Sequence, residues 1–166
     1  FCIELAKLGD YQITGLDISK SFVEIAQKNA AAARVQVDFR LGNASDMPFD
    51  DSSFDLMICQ AAFKNFSQPV RAIEEMYRVL SPNGTALIID LRRDASQEAI
   101  EREVDGMGQN AVNRFLTKWA FRTMLLKRAY SQQEMANFVA QTPFHSADIQ
   151  EDGIGFQVRL KKPGKG

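Results

Sequence analysis

The chain has little of several things, and each shortage narrows its chemistry. Its 166 residues hold two cysteines, Cys2 and Cys59, and one histidine, His145. Two distant thiols make no disulfide framework, and without a close Cys/His group they indicate no zinc or other metal site. A reducing, cytoplasmic setting is the default for such a chain. No apolar run approaches the roughly 18 residues of a membrane span and no signal-peptide pattern opens the sequence, so a soluble protein with no membrane span is expected. Excess charge is missing too: 20 Lys+Arg against 21 Asp+Glu leave a net charge of -1. There is no overall field to attract nucleic acid or an anionic membrane. A small molecule is the partner that fits. With 45% hydrophobic residues, no repeat and no linker, residues 1–166 are expected to form a single domain with a substantial core.

What is present reads as strands alternating with helices. In YQITGLDIS (Tyr11–Ser19), Ile13 and Leu16 give an apolar-leaning strand that runs through Gly15 into Asp17, and helix-capping residues follow. An acidic side chain at the carboxyl end of such a strand is where a doubly wound α/β sheet holds a ribose by its hydroxyls. Capping of the next helix by Asp17 or Ser19 is the plainer alternative. Phe1, Leu5 and Leu8 predict an opening helix ended by Gly9. Ser21 with Glu24, or else Ser19, starts the second helix, whose stripe of Phe22, Ile25, Ala26 and Ala30 is expected to pack on the sheet.

Val35, Val37, Phe39 and Leu41 alternate with polar residues, as in a strand near a sheet edge. The runs Phe54–Cys59 (FDLMIC) and Thr85–Asp90 (TALIID) predict strands buried on both faces. Between them lie a helix from about Val70, with Ile73, Met76, Tyr77 and Leu80 inward, and a tight Ser81-Pro82-Asn83-Gly84 turn. From Asp94 to Arg128 the rhythm changes to successive helices. There Val112, Phe115, Leu116 and Trp119 follow an i, i+3, i+4, i+7 stripe, expected to be helix-on-sheet core, with a lid over a substrate as the alternative. Ser131 and Glu134 make a capping box. Asp152-Gly153 predicts a hairpin between His145–Gln150 and Ile154–Leu160, with His145 on the hairpin in a surface or structural role. Residues 161–166 read as a frayed basic tail. The pattern is that of a mostly parallel sheet ending in an antiparallel pair.

Five pieces stand in one order: ELAKLG, GLDIS, GNASDMPFDDSSFD, LMICQ and RVLSPNGTALIID. In them the sequence resembles the class I S-adenosylmethionine-dependent methyltransferases, particularly the subgroup like the ubiquinone/menaquinone methyltransferases. The likeness is close over about Phe1–Asp90 and loose beyond. It implies a three-layer, Rossmann-like α/β sandwich, S-adenosylmethionine as cofactor, and methyl transfer to a small-molecule acceptor. By position it gives Asp17 the ribose hydroxyls and Ile18 one face of the adenine. Asn43 falls where the family usually has Asp reading the adenine amino group, with the Ala44 N–H beside it; an Asn carbonyl oxygen also accepts. Met47 and Phe49 either wall the base or anchor their loop in the core. Cys59, through its backbone, and Gln60 face the methionine end.

Lys64 and Asn65 stand where many relatives have paired histidines, which removes an imidazole base and the analogy for the acceptor. Arg92 and Arg93 suit an anionic acceptor, or are solvated charges at a strand end. Trp119, Phe115 and Phe121 suit an apolar or aromatic acceptor, or are core. No residue declares itself the catalytic base, and Asp90 has no nameable partner. The family's glycine-rich loop and first strand are absent, which predicts an N-terminally truncated sandwich. Its gap is then closed by a longer natural protein, filled by a second copy in a homo-oligomer or by another segment, or left in a fragment that binds cofactor poorly. Two other readings stay open: an NAD-dependent oxidoreductase, and a non-catalytic Rossmann-like interaction module.

Overall fold

A computed structural model describes residues 1–108, 110–120 and 125–164. It divides into two compact units, Phe1–Pro48 and Phe49–Gly166.

In the first unit, helix α1 (Cys2–Ala6) is followed by strand β1 (Thr14–Asp17), helix α2 (Lys20–Ala33) and strand β2 (Asp38–Leu41). Helix α1 stops at Ala6, short of the glycine expected to end it. Ser19 caps α2, its hydroxyl accepting the Phe22 N–H at 3.4 Å, which settles the choice between Ser19 and Ser21. The two strands pair in parallel, Thr14 opposite Asp38 through Asp17 opposite Leu41. Val35, Val37 and Phe39 are half-buried while Gln36, Asp38 and Arg40 are exposed, so the expected alternation holds as far as Phe39; Leu41, expected on the covered face, is 52% exposed. The face of α2 does not match expectation. Val23 and Ala30 are its buried residues, whereas Phe22 and Ile25 are 63% and 51% exposed. A small Val/Ala stripe lets a helix lie close to a two-stranded sheet; that sheet is too narrow to cover Phe22 and Ile25 as well.

The second unit contains β3 (Phe54–Gln60), α3 (Pro69–Val79), β4 (Leu80–Leu91), α4 (Gln97–Gly106), α5 (Ala111–Ala120), α6 (Gln132–Ala140), β5 (Asp148–Asp152) and β6 (Gly155–Lys161). Its sheet runs β3-β4-β6-β5, with β3 and β4 parallel and the other pairs antiparallel. Pro69 opens α3, where its missing N–H costs nothing, and the Ser131–Glu134 capping box opens α6. Along β4 and β6 the in-register pairs Ala86–Leu160, Ile88–Val158 and Asp90–Phe156 are all buried. That row is apolar except for Asp90 at its carboxyl end. Burial on both faces was expected for β3 and for Thr85–Asp90 of β4, but Leu56 is 51% and Ile89 37% exposed. Among the described residues β3 pairs only with β4, and a strand at a sheet edge has one flank uncovered.

Other expectations shift by small, explicable amounts. The Ser81–Gly84 turn is absorbed into β4 as a bulge: Phe54 opposes Leu80, the next paired residues are Leu56 and Thr85, and Asn83 takes a φ of 66°. The hairpin turn is Gly153-Ile154 rather than Asp152-Gly153, because Asp152 pairs with Gly155 and Ile154 is buried. His145 is exposed in the turn after α6, before the hairpin starts, its N–H bonded to the Thr142 carbonyl. Lys162 is anchored, its Nζ donating to the Tyr77 and Leu80 carbonyls at 2.8 and 2.7 Å.

Of the expected core stripe on α5, Phe115, Leu116 and Trp119 are 69%, 54% and 55% exposed. Phe121, Met124 and the side chain of Val112 lie outside the described residues.

A buried acid fixes α3. Glu75 is 2% exposed and receives the Arg78 fork, Nε to Oε1 at 2.9 Å and Nη2 to Oε2 at 2.8 Å. Arg78 also donates to the Phe49 carbonyl and to Asp51, tying the loop before β3 to α3. Arg78→Ala leaves a carboxylate buried without this cation and should destabilise the protein by about 3 kcal/mol. Urea denaturation is expected to show a lower midpoint with an unchanged slope. Arg78→Lys, which cannot form the fork, should recover only part of the loss.

Candidate functional site

In the first unit, parallel pairing brings two of the expected stretches to one sheet edge. Asp17 ends β1 opposite Leu41, and the Gly42 N–H donates to the Asp17 carbonyl at 2.9 Å. Asp17-Ile18 and Asn43-Ala44 therefore leave adjacent strands at the same carboxyl end. Gly42 makes this possible by packing: a Cβ there would sit 2.7 Å from Leu16 Cδ1 and 2.9 Å from Pro48 Cδ.

The groups at this edge are partly committed. Asp17 is exposed, and its Oδ1 accepts the Ser19 N–H at 2.8 Å; Oδ2 accepts from no described residue. Asn43 Oδ1 accepts the Ser45 N–H at 2.9 Å, and an amide oxygen has a second lone pair. The Ala44 N–H bonds to no described residue. Ile18 stands 73% exposed, while Met47 is buried at 6% and anchors its loop. Phe49, in the second unit, packs edge-on against Phe54 with ring centroids 4.9 Å apart.

In the second unit the carboxyl ends of β3 and β4 are joined by a polar clamp. Asp90 is buried, and its Oδ2 accepts the Lys64 N–H at 3.0 Å while its Oδ1 accepts the Lys64 ammonium at 2.9 Å and the Leu91 N–H at 2.8 Å. Lys64 Nζ also donates to the Ala61 carbonyl at 2.8 Å, and the Ala61 N–H donates to Ile89 O at 2.8 Å. Ala61 is thus held at both backbone groups in a left-handed conformation, φ 55°, which costs an alanine about 1 kcal/mol. Phe63, fully buried, pins the same turn against the rings of Phe66 and Tyr130. Gln60 and Asn65 are exposed on either side of it. The Cys59 thiol is half-buried and pushed up to about 12, first by burial and then by the Asp90 carboxylate, so it stays neutral.

Sequence reading did not find the clamp. It left Asp90 without a partner because Lys64 lies 26 residues away, and only the parallel register of β3 on β4 brings the two together. Ala61 gave no signal, since alanine carries no mark of a left-handed turn.

Arg92 and Arg93 follow the clamp on the same strand end and bond to Tyr130, whose ring packs on Phe63. Arg92 is paired with Asp94 at 2.9 Å and with Glu151, and Arg93 with Glu134 at 2.5 Å, so each guanidinium already has a carboxylate. Trp119 is exposed on α5. Among the described residues no group of three or more His, Cys, Asp or Glu side chains is placed to hold a metal ion.

Comparison with known proteins bears on these elements. The family described as "Methyltransferase domain" matches residues 1–88. A demethylmenaquinone methyltransferase from Deinococcus radiodurans is 32% identical over 97 residues, which are 58% of this chain and 40% of that protein. An ajmaline N-methyltransferase from Rauvolfia serpentina is 37% identical over 98 residues, 57% of this chain and 34% of that protein. The chain thus spans well under half the length of these curated relatives. Among solved structures, a SAM-dependent methyltransferase from Aquifex aeolicus superposes with a TM-score of 0.71 at 17% identity, covering 95% of this chain and 73% of that one.

The Cys59 environment sets an alkaline stability limit. Above the ordinary thiol range near 8.5 the unfolded chain ionises Cys59 and the folded chain does not. The stabilisation is complete below about pH 8.5 and is lost as pH rises toward about 12. Urea midpoints measured across that window should fall more steeply for the wild type than for Cys59→Ser. In a Cys2→Ser background, Cys59 should resist alkylation at pH 8.5 until urea unfolds the chain, its folded thiolate fraction being below about one in a thousand.

Proposed function

The chain belongs to the methyltransferase-domain family, and from that premise we propose that it carries the cofactor-binding part of an S-adenosylmethionine-dependent methyltransferase acting on a small-molecule acceptor. The observation that carries the reading is the shared carboxyl edge of β1 and β2, with Asp17-Ile18 on one strand and Asn43-Ala44 on the other. Asp17 Oδ2 is available to a ribose hydroxyl, the Ala44 N–H and the second Asn43 lone pair to a base edge, and the exposed Ile18 to a base face. These are the unmet valences a nucleoside would satisfy, so the residues present fit the group. In the second unit, Cys59, through its backbone, and Gln60 are the residues the family resemblance assigns to the methionine end.

When bound, the cofactor supplies a methyl group already activated on a sulfonium, and the protein's part is proximity and in-line orientation. That agrees with a site without a histidine base. Lys64 and Asn65, on the turn after β3, are the residues we assign to the acceptor side. Arg92 and Arg93 serve first to hold Asp94, Glu151 and Glu134. The family match runs across the boundary between Pro48 and Phe49, which supports reading the two units as parts of one methyltransferase domain. Among the described residues β3 pairs only with β4, which supports the expectation that the working domain has a further strand. The names of the relatives, a demethylmenaquinone and an alkaloid methyltransferase, favour a cyclic or aromatic small molecule as acceptor.

Calorimetric titration of S-adenosylhomocysteine tests the reading. Asp17→Ala, at an exposed position, should leave the thermal transition unchanged and weaken binding at least tenfold, since each charge-assisted hydrogen bond contributes about 2 kcal/mol. Equal affinity in the variant, or binding of NAD in place of the thioether, would overturn it.

A further inference from the structure

Methyl transfer does not by itself account for the most constrained feature of the larger unit. The pair of Asp90 and Lys64 reaches beyond its own two charges. Lys64 Nζ lies 2.9 Å from Asp90 Oδ1 and 2.8 Å from the Ala61 carbonyl, so one ammonium joins the end of β4 to the turn after β3. Both side chains are largely withdrawn from water. The ammonium is thus committed within the protein, and what Lys64 contributes on the acceptor side is the path of its turn.

The backbone N–H groups from Ala61 to Phe66 are committed as well. Ala61 donates to the Ile89 carbonyl, Lys64 to Asp90 Oδ2, Asn65 to the Ala62 carbonyl and Phe66 to the Phe63 carbonyl. Those of Ala62 and Phe63 are directed at the Cys59 sulfur. The turn is closed on itself, and Ala61 is its strained member at φ 55°.

One group stays open just before it. The Ala61 N–H turns to β4, and along a paired strand alternate residues turn their backbone groups to opposite flanks. Cys59 therefore also faces β4, while Gln60, in register with Ile89, faces away. On that flank β3 has no partner among the described residues. Of the two residues assigned to the methionine end, Gln60 is the one whose backbone carbonyl is uncommitted. A fixed carbonyl suits an ammonium, with which it forms a charge-assisted hydrogen bond.

From the methyltransferase reading, on which this rests, we infer that Asp90 and Lys64 are positioning residues: by holding Ala61 in its left-handed conformation they fix the Gln60 carbonyl to accept from the ammonium of the cofactor's amino-acid end. An alanine leaves the left-handed region when nothing holds it there. Its release turns the Gln60–Ala61 peptide plane, in which that carbonyl lies. A pair that served stability alone would affect every ligand alike.

Calorimetric titration with S-adenosylhomocysteine and with methylthioadenosine separates the two roles. Both carry the adenosine assigned to the β1–β2 edge; only the first has an amino-acid end. Lys64→Met with Asp90→Asn removes both charges together and leaves a neutral amide beside the backbone N–H groups of positions 64 and 91. This variant should bind S-adenosylhomocysteine about tenfold more weakly, the size of one charge-assisted hydrogen bond, and methylthioadenosine as the wild type does. Adding Ala61→Gly, which holds a positive φ without strain, should restore part of the lost affinity. Ala61→Val keeps the pair and disfavours the same φ, so it should show the same selective loss, and it answers the question even where the charge-pair variant does not fold. Equal weakening of both ligands, unchanged affinity for both, or no recovery with Ala61→Gly would overturn the inference and leave the methyltransferase reading in place. Wild-type protein that binds neither ligand would overturn that reading and the inference with it.

Discussion

One buried carboxylate holds the larger unit's working end together. Asp90 closes an otherwise apolar row on β4, and a carboxyl group at 6% exposure is tolerable only if it is paired and hydrogen-bonded. Lys64 supplies both needs, through its ammonium and its backbone N–H. The result is a turn after β3 whose path is dictated by the strand beside it. Its strained Ala61 is kept in place by Ile89 on one side and Lys64 on the other. Strain held in this way is a common property of sites that must present backbone groups in a fixed direction.

The smaller unit reaches a comparable result with less. Two four-residue parallel strands set Asp17 and Asn43 at one edge, and Gly42 lets the chain pass close to Leu16 and Pro48 on the way. Asp17, Ile18 and Asn43 stay exposed there, and Asp17 and Asn43 each keep hydrogen-bonding capacity beyond their one backbone contact. The larger unit has a rigid, strained turn at Ala61 and the smaller an edge with unfilled hydrogen-bonding capacity at Asp17 and Asn43.

Much of this was legible in the sequence wherever the signal was local. The alternation at Val35–Phe39, the capping box at Ser131 and Glu134, and the terminal antiparallel pair all follow from neighbours along the chain, and the structure contains each. Illegible features depended on partners far away or on surfaces without partners. The apolar stripes of α2 and α5 read as core because periodicity says that a face is apolar, not whether anything covers it; Phe22, Phe115 and Trp119 are exposed. FDLMIC read as a doubly covered strand because composition does not reveal that, among the described residues, β3 pairs only with β4. The Lys64–Asp90 pair needed the register of two strands. Asp17, Ile18, Asn43 and Ala44 were singled out by resemblance, and the register of β1 on β2 is the physical reason these four leave their strands at a common end.

The most direct test of the account is an amide chemical-shift map of the chain titrated with S-adenosylhomocysteine. The account predicts that the largest perturbations fall within Asp17–Ser19 and Asn43–Ser45, with those of β2's outer residues, such as Arg40, much smaller. Perturbations absent from that carboxyl edge, or concentrated on α5, would contradict it.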